Sequence, residues 1–269
     1  MTSPSEAGRT IAGRAASADP ATVIAAGVLA AILAAICHET LGHGLGCVID
    51  GGRITLLTSI WFRCAGAMSI TDAGGPVGSL IGGVAALTFL SVRAPGSVLR
   101  LVILMFGGFS LFWFAGQLIT QPLFNRDDFF FVAHRMGWSW VWRPVMGTIG
   151  VVAYAAAMRW VVAVLRWQRA PGWHAIRLSY VAGVVSAVVA GLMWQVEPVR
   201  SAIEGFQTLG IVPLGLLVAA RRGSRDGVGD VAPVPRSWAW IVGCAVVFGL
   251  FLFVQSRGLG SLAGAGFVR

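Results

Sequence analysis

Apolar residues in this chain come in long, nearly unbroken runs, without the polar face of a surface helix or the alternation of a half-buried strand. A helix that crosses the hydrocarbon of a bilayer needs about 20 such residues. Runs of that kind cover 21–48, 75–92, 98–120, 145–165, 175–195 and 238–254, with a shorter one at 206–220. The pattern therefore predicts six or seven membrane spans. Between the first and second spans, Asp50 to Ala73 reads differently. Ile54 to Phe62 is β-prone and follows the turn signal Asp50-Gly51-Gly52, which predicts a short strand or hairpin. Strand edges cannot face lipid, so this piece has to lie against protein, in a cavity or in water. The expected fold is an all-α polytopic membrane bundle with a short strand-like segment after the first span. It divides into a polar tail (1–20), a membrane core (21–135) and additional transmembrane helices (136–269).

Composition removes the soluble alternatives. Of the 269 residues, 57% are hydrophobic and 12% charged. A soluble domain carries about 25% charged residues, so half of that leaves too little polar surface to cover a globule in water. All 20 basic residues are arginine and the net charge is +9, yet the arginines sit mostly between the apolar runs. That placement suits charges at lipid headgroups and argues against a nucleic-acid surface. With seven spans, the side holding the N-terminus collects eleven arginines and the other eight, which favours a cytoplasmic N-terminus. Tryptophans 138, 140 and 142, then 167 and 173, then 238 and 240, fall at span ends, as an interfacial aromatic belt requires. The polar tail is long for a signal peptide and the run after it exceeds an ordinary h-region, so a retained first span is expected. An integral protein of a bacterial plasma membrane is the expected location. Cys37 and Cys244 lie inside apolar runs and no CxxC pair occurs, so the four cysteines are expected to be small buried side chains and not a disulfide framework.

The first span ends in Cys37-His38-Glu39-Thr40-Leu41-Gly42-His43-Gly44. Ionisable groups inside a membrane cost several kcal/mol, and metal coordination is one way to hold them there. Zinc takes His nitrogen and carboxylate oxygen, and a catalytic site leaves a fourth position for water. The spacing sets a condition. Histidines four apart lie about 40° apart around a helix, but five residues place them about 140° apart. His38 and His43 can share a metal only if the helix carries a π-type turn, which bonds i to i+5. Gly42 and Gly44 lower the steric barrier to that turn. Two histidines hydrogen-bonded in a polar bundle interior, or Glu39 and His43 ligating at i, i+4 without His38, are the other readings of these residues. A third ligand has to come from elsewhere, and Asp127 and Asp128 after the third span are the candidates. Gly74, Gly78 and Gly82 form a small-residue stripe for close helix packing. Gln117 and Gln121 are placed either to bond a substrate backbone or to bond between helices. His134 and His174 read as interfacial, and Glu197 and Glu204 as solvated.

The sequence His38-Glu39-Thr40-Leu41-Gly42-His43 resembles the extended HExxGH zinc motif of dipeptidyl peptidase III, a soluble enzyme, so that similarity is local. In its membrane setting the chain resembles the site-2 protease family of intramembrane zinc metalloproteases. There a zinc-motif span is followed by a strand-bearing segment, a span opening with a Gly-Pro motif, and a later Asn-and-Asp motif. Here Ala73-Gly74-Gly75-Pro76-Val77-Gly78 opens span two, and Asn125-Arg126-Asp127-Asp128-Phe129 follows span three. The chain departs from the family in the extra residue of the His motif and in Asp-Asp-Phe where Asp-Gly is usual. The resemblance covers roughly 20–135. It implies His38, His43 and an aspartate as zinc ligands, with Asp128, which directly precedes the aromatic residue, ahead of Asp127. It also implies Glu39 as general base and a transmembrane protein as substrate. The expected function is zinc-dependent intramembrane hydrolysis of a peptide bond. The alternatives are a membrane hydrolase of lipid amides or esters, and a non-catalytic metal-binding membrane protein.

Overall fold

A computed structural model describes residues 18–168, 172–225 and 233–260 of the chain. The polar tail expected over 1–20 lies, except for its last three residues, outside the described residues. Among those described, seven helical stretches are long and apolar enough to cross a membrane: Pro20–Ile49, Ser69–Val92, Ser97–Phe124, Trp142–Trp167, Trp173–Met193, Pro198–Gly223 and Trp238–Arg257. The chain is an all-α polytopic membrane protein with one small antiparallel sheet.

The first span comprises α1 (Pro20–Ala35), a π-helical segment (Ile36–His43) and α2 (Gly44–Ile49). Asp19 caps α1 by accepting from the amide and hydroxyl of Thr22, each at 2.9 Å, and Pro20 occupies the first turn, where a missing N–H costs nothing. Small residues dominate the buried face of α1, including Ala26, Ala30 and Ala34. With no side chains to hold them apart, neighbouring helices come close. The hydroxyl of Ser179 donates to the Val23 carbonyl at 2.9 Å, and a Cβ on Gly27 would collide with the backbone of Ser179.

The strand-like segment is a hairpin. Strands β1 (Arg53–Leu57) and β2 (Phe62–Ala65) pair antiparallel, with Arg53 opposite Ala65, Leu57 opposite Phe62 and a bulge between Ile54 and Leu56. The outer edge of β1 is paired as well. Leu57 exchanges two backbone hydrogen bonds with Leu259, at 2.8 and 3.0 Å. Cys47, in α2, forms a disulfide with Cys64 in β2, contrary to the expectation of unbonded cysteines. Their 17-residue separation hid the pairing, because only the hairpin brings β2 back beside the end of the first span. Cys37 and Cys244 are free and buried, as expected.

Helix α3 (Ser69–Val92) and helix α4 (Ser97–Phe124) follow, then a short helix, α5 (Asp128–Arg135), and α6 (Trp142–Trp167) and α7 (Trp173–Met193). The sixth span is longer than its apolar run. It joins α8 (Pro198–Phe206), a second π-helical segment (Gln207–Ile211) and α9 (Leu214–Arg225), and polar residues at both ends shortened the run in the sequence. Glu204, read as solvated, faces Arg126 at 3.3 Å and so ties α8 to the turn before α5. Helix α10 (Trp238–Arg257) closes the chain.

Disulfides persist in oxidising compartments. The crosslink lies at the hairpin end of the first span, opposite the end with the larger arginine count. The crosslink is checked by counting thiols. In protein denatured without reductant, Cys37 and Cys244 should alkylate and Cys47 and Cys64 should not, whereas all should react after reduction. Full alkylation without reductant would remove the crosslink.

Candidate metal centre

The π-helical segment supplies the condition that the His38–His43 spacing set. It covers Ile36–His43, and the amide of Gly44 donates to the carbonyl of Glu39, five residues back. The two imidazoles are thereby brought to one face, with ring centroids 4.9 Å apart and planes nearly perpendicular. Gly42 allows this turn to rest directly on α3, since a Cβ there would strike the backbone of Gly74 and Gly75. Gly74 and Gly78 make the reciprocal contacts, so the small-residue stripe packs against the π turn.

Each imidazole is oriented through its Nδ1. His38 Nδ1 lies 2.9 Å from the hydroxyl of Ser79, and His43 Nδ1 donates to the carbonyl of Thr71 at 2.7 Å, both partners on α3. Both Nε2 atoms then turn toward Asp128. His38 Nε2 is 3.5 Å from Oδ2, and His43 Nε2 is 3.2 Å from Oδ1. Aromatic rings wall the group: Trp113 of α4 stacks on His38 at 4.1 Å between centroids, and Phe62 of the hairpin lies over His43 at 5.4 Å. His38 and His43 are buried, and the Asp128 side chain is 17% exposed, so the group is reached from one side.

Of the two aspartates, the fold brings Asp128 to the histidines. Asn125 and Asp127 both have positive φ, 51° and 68°, and this reversed turn starts α5 under the π segment. Asp127 stays at the rim, half-exposed and 3.5 Å from Arg126 Nε. Gln117 Nε2 donates to Asp128 Oδ2 at 2.7 Å, and the side-chain oxygen of Gln121 accepts the amide of Phe129 at 2.8 Å. The two glutamines therefore hold the start of α5, which decides between the roles open to them. Arg135 fixes the other end of α5 by an ion pair to Asp72 at 2.6 Å.

Among the described residues, His38, His43 and Asp128 form the group whose donor atoms lie within 4.8 Å of one another and could hold a metal ion. Glu39 is not a member, so the i, i+4 pairing of Glu39 with His43 is not the one assembled. Glu39 is buried on the same turn, within electrostatic reach of His43 and Asp128. His134 stacks on Phe130 and His174 is exposed, and neither joins the group.

The hydrogen bonds test whether these residues fit a cation. The Thr71 carbonyl can only accept, so its 2.7 Å bond puts the proton on His43 Nδ1, and the Gly75 amide, 3.3 Å from the same atom, is the longer and weaker contact. In a neutral ring, Nε2 then presents a lone pair to a carboxylate oxygen, and two acceptors face each other at 3.2 Å. A cation between them resolves the repulsion, either a second proton or a metal ion. The nitrogen–oxygen separations of 3.2 and 3.5 Å match two ligands sharing tetrahedral zinc, which stand about 3.3 Å apart. Gly75 completes the fit, because a Cβ there would collide with Nε2 of both histidines.

Several contributors were not singled out in the sequence: Thr71, Ser79, Trp113, Phe62 and Gly75. Ser79 carried a usable signal, lying one turn beyond Gly75 and beside the glycine stripe of α3. Thr71 acts through its backbone, which no side-chain pattern reveals. Comparison with family models, with curated proteins and with solved structures finds no match to this chain.

Two substitutions probe the centre. Gly75→Ala should displace both imidazoles and abolish metal retention in purified protein while leaving the helical content unchanged. Gln117→Met keeps the volume but loses the donor to Asp128. Loss of such an outer partner typically costs about 10–100-fold in metal affinity, measured by competition with a chelator. Unchanged affinity in both variants would mean that the group is not organised for a metal.

Proposed function

We propose that this chain is a zinc-dependent hydrolase acting within the membrane, with a peptide bond as its substrate. The observation that carries this reading is the buried group His38, His43 and Asp128 with Glu39 on the same π turn. Two imidazoles and one carboxylate leave a coordination position open, which separates a catalytic from a closed structural site. The same donor set also suits non-haem iron. Glu39 favours hydrolysis, because a buried carboxylate beside the ligands has an evident role as a proton carrier there. The peptide substrate rests on the motif order that the chain shares with the site-2 protease family.

Each residue has a task. His38 and His43 would present Nε2 to the ion, with Ser79 and Thr71 fixing the ring planes. Asp128 would supply the anionic ligand and Gln117 would hold its carboxylate in place. When bound, zinc supplies Lewis acidity that polarises an acyl carbonyl and makes water a better nucleophile. Glu39 takes the proton from the attacking water and returns it to the leaving amine. Burial keeps Glu39 and the ligands out of bulk water, where their fields would be screened. A helical substrate has to unwind before its carbonyls can be reached, because in lipid they are bonded within the helix.

The test separates metal binding from proton transfer. Glu39→Gln keeps size and one acceptor but cannot take the proton. Turnover should fall by about 10²–10⁴-fold while zinc stays bound. His38→Ala should lose metal and turnover together. A panel of single-span membrane proteins co-expressed with each variant supplies candidate substrates. Cleavage that persists undiminished in Glu39→Gln would remove Glu39 as the base. Bound zinc with no turnover of any acyl substrate would favour a metal-binding protein that does not cleave.

A further inference from the structure

Thr71 holds His43 through its backbone, and the first span in turn holds Thr71. His43, Gly46 and Asp50 are spaced three and four residues apart, so they line one face of the helix that continues past the π turn. That face meets the first turn of α3. His43 Nδ1 donates to the Thr71 carbonyl at 2.7 Å. Gly46 lets the two helices touch, since a Cβ there would strike the carbonyl of Ile70 and the Cα of Thr71. Asp50 Oδ2 accepts from the Thr71 hydroxyl at 2.6 Å, from the Thr71 amide at 2.8 Å and from the Met68 amide at 2.9 Å.

Those bonds from Asp50 act in two ways. Amides at the start of a helix have no partner within it. Asp50 caps α3 from a different element, with its negative charge at the positive end of the helix dipole. The same carboxylate fixes the side chain of Thr71, which is buried. Thr71 is thus gripped on its amide and hydroxyl by Asp50 and on its carbonyl by His43. A carbonyl held in this way sets the plane of the His43 ring, and with it the direction of Nε2, which lies 3.2 Å from Asp128 Oδ1. Asp50 is not itself a member of the donor group.

We propose that Asp50 is a positioning residue of the metal centre: it clamps the first turn of α3 and, through the Thr71 carbonyl, fixes the orientation in which His43 meets the ion. This rests on the metal centre but not on the hydrolase reading built on it. A metal-bound histidine commonly donates its other nitrogen to a carbonyl, and such outer partners tune affinity. Asp50 adds the fixture that keeps this carbonyl in place. It joins the end of the span that carries both histidines to the helix that orients them. In the sequence Asp50 reads only as the first residue of a turn before the hairpin.

The test uses the purified full-length protein with two probes: Zn²⁺ in competition with a chelator, which reads affinity, and Co²⁺, whose visible absorption reads ligand geometry. Asp50→Asn keeps the size but replaces the charged acceptor. It should weaken zinc binding about tenfold, the lower end of the cost of losing an outer partner, and shift the cobalt bands. Thr71→Val keeps the shape but loses the hydroxyl and should move both readouts the same way, whereas Thr71→Ser should keep both near wild type. Asp19→Ala removes a cap from the far end of the first span. It should lower the unfolding temperature and leave zinc affinity and the cobalt spectrum unchanged. Wild-type affinity in both Asp50→Asn and Thr71→Val would overturn the proposal and leave the metal centre standing. A loss in Asp19→Ala equal to that in Asp50→Asn would also overturn it, by showing that general loosening is enough. Wild-type protein that binds neither ion would remove the metal centre, and the proposal with it. If Asp50→Asn does not fold, Thr71→Val against Thr71→Ser decides, and equal affinities there overturn the proposal.

Discussion

In lipid there is no water to satisfy a buried polar group, so each imidazole and carboxylate within the bundle has to find its partner in the protein. For His38 and His43 that constraint acts through the backbone. Their five-residue separation scatters them on an α-helix and aligns them on a π turn, and the π turn is what the chain adopts over Ile36–His43. The rest of the centre follows from it. A turn of wider radius could not pack closely against ordinary side chains, and the glycines of α3 allow it to rest on bare backbone. That contact in turn places Thr71 and Ser79 where they orient the rings.

Asp128 enters from the opposite direction. The left-handed Asn125 and Asp127 reverse the chain beyond α4, and Gln117 and Gln121 draw the start of α5 into the bundle. The carboxylate arrives opposite two Nε2 atoms, at least one of which presents a lone pair in the neutral ring. Acceptors directed at a common point, walled by Trp113 and Phe62, describe a place for a cation. Both Phe62 and the disulfide partner Cys64 belong to the hairpin. The crosslink to Cys47 therefore ties down the element that covers His43.

Much of this was legible in the sequence because its causes are local. Apolar run length gives the spans, and the His38–His43 spacing makes a π turn the condition for a shared metal. Asp50-Gly51-Gly52 gives the hairpin's start. What escaped depends on tertiary proximity. Asp128 stood ahead of Asp127 only through the family resemblance, because the two backbone reversals that bring it to the histidines are encoded by no composition. The Cys47–Cys64 bond joins residues that only the hairpin brings together. Gly75 reads as one glycine of the Gly-Pro motif that opens span two until the imidazoles are seen beside it. The sixth span was foreshortened because Glu204 and Arg221 lie inside a helix whose apolar centre alone stands out. Span length and charge depend on neighbours in sequence, and ligand convergence depends on neighbours in space.

The central claim is that His38, His43 and Asp128 form a zinc site. Elemental analysis combined with X-ray absorption at the metal edge tests it most directly, on wild-type protein purified from membranes without chelator. The account predicts about one zinc per chain, with two imidazole nitrogens at about 2.0–2.1 Å, oxygen in the remaining positions and no sulfur. Protein that carries no metal, that holds iron in place of zinc, or whose zinc shows sulfur ligands would contradict it.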